Sequence, residues 1–240
     1  SCDFQVHTPR DRQWGGAGAT NDTERRSFAE ELVRACRSVG LGAIGITDHD
    51  EMVLADHVRV AAEQEVDEQG APIPEERRLV VFPGMELTLG VPCQAIVLFD
   101  AAFPSALFAL VHNALALTPA PASSPQGNTA TPIARLTTIG ALYDELDRHN
   151  FLRGRYIVLP NVSEGGAHTL LRAGHAGHYK EMPCVGGYLD GPVAQLGAGN
   201  TRILAGQDRN YGSKALGLFQ TSDSRTRDFA SLGRHRTYVK

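Results

Sequence analysis

Short apolar runs alternate with amphipathic segments along the whole chain, and a polar residue closes almost every run. The runs are "CDFQV", "AIGIT", "RLVVFPG", "CQAIVLFD", "RYIVLP", "GGYLD" and "LGLFQTSD". Helix-like stretches separate most of them. In "NDTERRSFAEELVRACRSVGLG" Asn21, Asp22 or Thr23 serves as cap, Phe28, Leu32, Val33 and Cys36 form an apolar stripe, and Gly40 or Gly42 is the stop. Further helices are expected in "MVLADHVRVAAEQEVDEQG", "PSALFALVHNALAL" and "IARLTTIGALYDELDRHNF". Strands alternating with helices predict a parallel α/β sheet. At the strand ends stand His7, Asp48-His49, Glu86, Asp100, Asn161, Asp190 and Asp223. A closed (β/α) TIM-like barrel brings all such ends to one face, whereas an open sheet gathers ligands at one switch point. Polar groups at nearly every end favour the barrel. Neither GxGxxG after a strand nor GxxxxGK[ST] is present, so the segment is not itself a nucleotide-binding loop module.

Length and composition narrow the class. The 240 residues suit one large domain spanning 1–240, with a Pro-rich, small-polar stretch near 118–132 expected as a flexible insert. A net charge of −4 argues against a whole-surface nucleic-acid binder but leaves room for a local basic groove. Cys2, Cys36, Cys93 and Cys184 are scattered, which excludes a zinc ribbon and suits a reducing, cytoplasmic setting. The most apolar stretch, Val91 to His112, is broken by Gln94, Asp100 and Pro104, so no membrane span is expected. The chain opens almost directly on a strand and stops at "RTYVK", as expected of a domain cut from something longer.

The first strand is oddly polar. Alternation puts Cys2, Phe4 and Val6 on one face and Asp3, Gln5 and His7 on the other. His, Asp and Glu are the ligand set of zinc, manganese and iron hydrolases, and His7, His49, Glu86 and Asp223 offer it from four strand ends. Taken singly, each has a plainer role. A strand-end His usually makes structural hydrogen bonds, and Asp223 alone reads as a cap. Asp48 beside His49 suits a carboxylate that orients the ring. Arg225, Arg10 and Arg12 could meet phosphate, or be salt-bridged and solvated. The Gly165-Gly166 turn, with Arg172 and Lys180, could cradle an anion, or be a surface loop. His168, His175 and His178 are separated by glycines and are not expected to share a metal.

"DFQVHTP", "GITDHD", "PGMELT" and "QTSDSR" together resemble, in order and spacing, the four signature segments of the PHP (polymerase and histidinol phosphatase) superfamily, whose usual forms are DxHxH, TDH, GxE and SDxH. "CDFQVHTPRDRQW", "LPNVSEGGAHTLLR", "MPCVGGYLDGP" and "TSDSRTRDFASLGRHRTYVK" look like the amino-terminal part of TrlF-like proteins, which continue into an AAA- or SMC-like ATPase. The resemblance implies a distorted seven-stranded barrel, metal-dependent phosphoester hydrolysis and an ATPase domain following Lys240. By motif position it implies His7, Glu86 and Asp223 as metal ligands, with Gln5 standing where the pattern has a second His. His49 matches a ligand of a further metal whose other His is replaced by Arg225. Two more expected histidines fall near Cys93-Gln94 and at Asn161. The count favours one or two divalent ions (Mn, Zn or Fe) over three.

Two functions compete. One is a phosphoesterase, a nuclease or nucleotide phosphatase with a partly eroded metal site. In it His7, Glu86 and Asp223 hold metal with Gln5, Asp48-His49 orient or exchange protons, Arg225 stabilises charge, and Arg10, Arg12, Asn161 and Arg172 bind the phosphoester. The other is a catalytically degenerate domain that binds nucleic acid or the ATPase. An amidohydrolase-like site is disfavoured because it wants an HxH pair and a bridging Lys.

Overall fold

The computed structural model describes residues 1–91 and 93–239, so the expected junction at Lys240 lies outside the described residues. Seven strands form where the apolar runs predict them: β1 (Cys2–Val6), β2 (Ala43–Ile46), β3 (Val80–Thr88), β4 (Gln94–Phe99), β5 (Tyr156–Pro160), β6 (Gly186–Asp190) and β7 (Gly217–Thr221). Six α-helices accompany them: α1 (Asp22–Ser38), α2 (Ala55–Glu63), α3 (Phe108–Ala114), α4 (Ile139–Asp147), α5 (Ala176–Glu181) and α6 (Ala198–Leu204). Helix α1 starts where the Asn21 side chain accepts the Glu24 N–H, and it buries Phe28, Leu32, Val33 and Cys36. Helices α2 and α4 are shorter than their periodicity predicts. None is long and apolar enough to cross a membrane.

The sheet is mixed, which corrects the all-parallel expectation. β1, β2 and β3 run parallel, but β4 pairs antiparallel with both β3 and β5. β6 and β7 form a separate parallel pair. The strands therefore make sheets of five and two, not one closed ladder. Single bridges join the two, Asn161 to Tyr188 on one side and Val6 to Ser224 on the other. Because β4 is reversed, its start and not its end lies beside the ends of β3 and β5. Gln94 thus joins the polar face, and Asp100 leaves it to pair with Arg155 at 2.7 Å.

Alternation along each strand divides the core. Cys2, Phe4, Ile96, Leu98, Leu159 and Tyr188 pack together, while Val6, Met85, Leu87, Ala95, Val97 and Phe99 belong to the larger cluster with the helices. Both faces of these strands are buried, as a sheet covered on two sides requires. Gly84 is needed where β3 meets β4, since a Cβ there would stand 2.5 Å from the Val97 carbonyl oxygen. Strand β1 breaks its own period. Its pairing with β2 shifts between Asp3 and Val6, so Phe4 and Gln5 both face inward. Asp3 consequently does not share a face with Gln5 and His7. Its carboxylate accepts the N–H groups of Ser222 and Gly233 instead.

The insert near 118–132 has no regular structure, but it is tied down. The buried Arg10 guanidinium donates to the carbonyls of Ala120, Pro121 and Ser124, and Gly127 N–H donates to the Arg10 carbonyl. A second buried arginine, Arg25, donates to Ala122.

Candidate metal centre

The ends of β1, β2, β3 and β7 deliver four side chains to one point. His7 follows β1, His49 follows β2, Glu86 lies within β3, and Asp223 follows β7 in a left-handed backbone conformation (φ 45°). That conformation is costly for a residue with a side chain, and such strain collects at functional sites. Both imidazole Nε2 atoms face Glu86 Oε2, at 3.5 Å from His7 and 3.4 Å from His49. Asp223 Oδ1 stands 3.1 Å from His7 Nε2. The two rings stack, with centroids 5.5 Å apart.

Sequence reasoning missed the residue that aims these rings. Asp11 Oδ2 lies 3.0 Å from His7 Nδ1 and 2.7 Å from His49 Nδ1. A carboxylate on Nδ1 turns Nε2 toward a metal, the usual support for a ligating histidine. Asp11, His7 and His49 also bring three potential ligand atoms within 4.8 Å of one another. The available signal was the spacing of His7 and Asp11, four residues apart in a short loop. Asp50 was missed as well. Its backbone is left-handed (φ 58°), its buried Oδ1 lacks a partner, and burial pushes its pKa up to about 6.

Arg225 completes the centre. Its Nε is 2.7 Å from Asp223 Oδ1, one terminal nitrogen donates to Asp11 Oδ1 at 3.1 Å, and the other is 3.5 Å from Glu86 Oε2. Burial penalises this charge, but Asp223, Asp11 and Glu86 outweigh it and raise the pKa. His7 behaves alike: burial opposes its protonation, yet Asp11 and Asp223 raise its pKa to about 10. Burial would raise the Asp223 pKa, but His7 and Arg225 hold it down to about 2.

The donor set fits a divalent transition metal. Atoms about 2.0–2.2 Å from a shared ion stand about 2.9–3.5 Å apart, and the three pairs His7–Glu86, His49–Glu86 and His7–Asp223 fall in that range. Both ring nitrogens of His7 and Oδ1 of Asp223 are buried without a properly aligned hydrogen bond, although charged neighbours are close. Atoms that converge without bonding one another are disposed to share a third partner.

The other expected site residues are placed differently. Gln5 turns its amide N–H toward Glu86 Oε2 (3.4 Å), while its oxygen accepts the Thr221 hydroxyl (2.7 Å). As placed it is a donor to Glu86, because its only ligating atom is engaged. Asp48 lies behind the His7 ring, its Oδ1 3.9 Å from Nδ1. Its oxygens accept Thr8 N–H (2.7 Å) and the Thr8 hydroxyl (2.6 Å), fixing the turn after His7. Burial first, and then the Asp11 charge, push its pKa up to about 7. Arg10 is wholly buried against Glu51, with Nε donating to one oxygen at 2.7 Å and a terminal nitrogen to the other at 2.8 Å. It is a staple for the insert, not an open phosphate contact. Arg12 is exposed and donates to Gln126. Arg172 donates to His175 and to the Ala167 carbonyl. Asn161 donates to the Tyr188 hydroxyl at 3.1 Å.

No family model matches the sequence, and no curated protein matches it. Solved structures do. The lesion-specific endonuclease PfuEndoQ from Pyrococcus furiosus matches with a TM-score of 0.54 and 11% identity, over 97% of this chain and 50% of its own. PsfC from Pseudomonas syringae PB-5123 gives 0.46 and 16%, over 97% and 78%. An Endonuclease Q complex with a 27-mer duplex carrying an abasic lesion at its active site gives 0.49 and 10%, over 94% and 49%. The first carries the fold assignment. The architecture is a mixed α/β fold with a parallel-rich sheet, shared with that endonuclease. The chain spans about half the length of that endonuclease.

Proposed function

We propose that the chain is a metal-dependent phosphoesterase of PHP type, a nuclease or nucleotide phosphatase with a reduced metal site. The single observation that carries this reading is that Glu86 Oε2 lies within 3.5 Å of both His7 Nε2 and His49 Nε2, with Asp223 Oδ1 3.1 Å from His7 Nε2. These four residues would hold a divalent ion, Mn, Zn or Fe by donor type. Such an ion supplies Lewis acidity toward a phosphoryl oxygen. Asp11 hydrogen-bonds His49 Nδ1 and stands 3.0 Å from His7 Nδ1, so both rings turn Nε2 toward Glu86. Arg225 is partly exposed and presents a planar cation beside Asp223, where it binds a phosphate oxygen and stabilises charge developing on it. The proposal extends to the fold: the sheets of five and two strands, linked by bridges at both seams, are read as one distorted seven-stranded barrel. A phosphodiester in nucleic acid is the favoured substrate, because the fold neighbour is an endonuclease. An ATPase partner following this domain, and a cytoplasmic setting, rest on the sequence resemblance.

One observation favours a second reading. Arg225 already neutralises Asp223, Asp11 and Glu86, as a cation replacing a lost metal would in a degenerate binding domain. Metal analysis of protein purified without added metal, followed by Mn²⁺ titration, separates the two. Hydrolysis of bis-p-nitrophenyl phosphate and of an abasic-site duplex is then assayed. The phosphoesterase reading expects Mn²⁺-dependent hydrolysis that His7→Ala and Glu86→Gln abolish. No bound metal and no hydrolysis would sink it.

A further inference from the structure

We infer that Tyr188 is a positioning residue that confines Glu86 to one cation, making the centre a single-ion site. The inference rests on the metal-centre reading above. A carboxylate that links two cations with one oxygen on each needs both oxygens available. The two Glu86 oxygens are engaged unequally, since Oε2 carries only the long Gln5 N–H contact (3.4 Å) and the Arg225 contact (3.5 Å). Glu86 Oε1 accepts the Tyr188 O–H at 2.8 Å, and the phenol oxygen in turn accepts the Asn161 N–H at 3.1 Å. Only Oε2 faces the two imidazoles.

The phenol is held there by the backbone. Asn161 and Tyr188 form the bridge between β5 and β6, and Val162 N–H donates to the Tyr188 carbonyl at 2.9 Å. Tyr188 is completely buried. The Asn161 oxygen on this side is also engaged, accepting the Ser163 N–H at 2.9 Å. On the other side the Arg225 guanidinium donates to Asp11 Oδ1 and lies against Asp223 Oδ1. A permanent positive charge repels a second ion there. The carboxylate oxygens a second ion would take are thus occupied by a phenol on one flank and a guanidinium on the other.

The test is Mn²⁺ binding to the metal-free full chain, with free ion read by electron paramagnetic resonance and bound ion by equilibrium dialysis. The parent is expected to take up one Mn²⁺ per chain. Tyr188→Phe keeps the ring and removes the O–H. It is expected to weaken Mn²⁺ binding by about 10–100-fold, the usual cost of losing a residue that orients a ligand. The variant is expected to lose some stability with this buried hydrogen bond, so the specific readout is stoichiometry: with Oε1 released, a second and weaker Mn²⁺ per chain is expected, which a merely structural loss would not give. If Tyr188→Phe fails to fold, Asn161→Ala removes the N–H that orients the phenol, and the same weakening is expected. Two ions per parent chain, or unchanged affinity in the folded variant, overturns the inference. No ion bound overturns both this and the metal-centre reading. One ion with no phosphoester hydrolysis overturns the phosphoesterase alone.

Discussion

Two arginines, Arg10 buried and Arg225 partly exposed, stand within a few residues of the candidate ligands, and their surroundings differ in kind. Arg10 meets Glu51 edge to edge, and its remaining donors reach three carbonyls of the insert. Its polar needs are met by aligned hydrogen bonds. Arg225 faces three carboxylates from three elements, and only its contact with Asp11 is an aligned hydrogen bond. Around it, buried atoms of His7 and Asp223 have charged neighbours but no aligned partner. A satisfied network is how a chain uses arginine to build. A crowded and incompletely bonded one is how it keeps charge ready for something that arrives.

Substitutions can break that contrast, and the largest effect belongs to the builder. Arg10→Ala strands a buried Glu51 and releases the insert, so it is expected to cost about 3–5 kcal/mol in urea unfolding. Arg10→Met with Glu51→Leu is expected to recover most of that loss, because the pair then no longer leaves a lone charge. Arg225→Ala is expected to lower kcat for phosphodiester hydrolysis by about 10²–10³-fold. Its unfolding midpoint should move less than that of Arg10→Ala. The reverse ranking in stability would erase the distinction between the two sites. Thr8→Val takes the hydroxyl from the buried Asp48 and is expected to cost about 1–3 kcal/mol, read by thermal melting. Arg12→Ala, on an exposed side chain, is expected to leave the melting temperature unchanged.

Much of the fold was legible. All seven strands lie where apolar runs predict them, and for the central ones the reason is that a strand buried on both faces leaves few polar choices in its sequence. The direction of β4 was also legible in principle. Only residues 89–93 separate β3 from β4, too short for the crossover that parallel pairing needs. That cue points to a hairpin, and hence places Gln94 and not Asp100 on the polar face. The β1 irregularity carried no comparable signal, since Asp3, Gln5 and His7 keep a perfect period of two on paper.

By itself the sequence determined the strands, the helix α1 with three candidate caps, and the placing of His7, His49, Glu86 and Asp223 at or near strand ends. These depend on local pattern, and a residue at a strand end has little freedom about where it points. Tertiary structure alone decided which groups meet. It put Asp11 on both rings, turned Asp48 toward Thr8, spent Arg10 on the insert and set Tyr188 against Glu86. The last two residues are 102 positions apart. Their contact is made by strand pairing and burial, which act through space, and no local pattern in either segment records it.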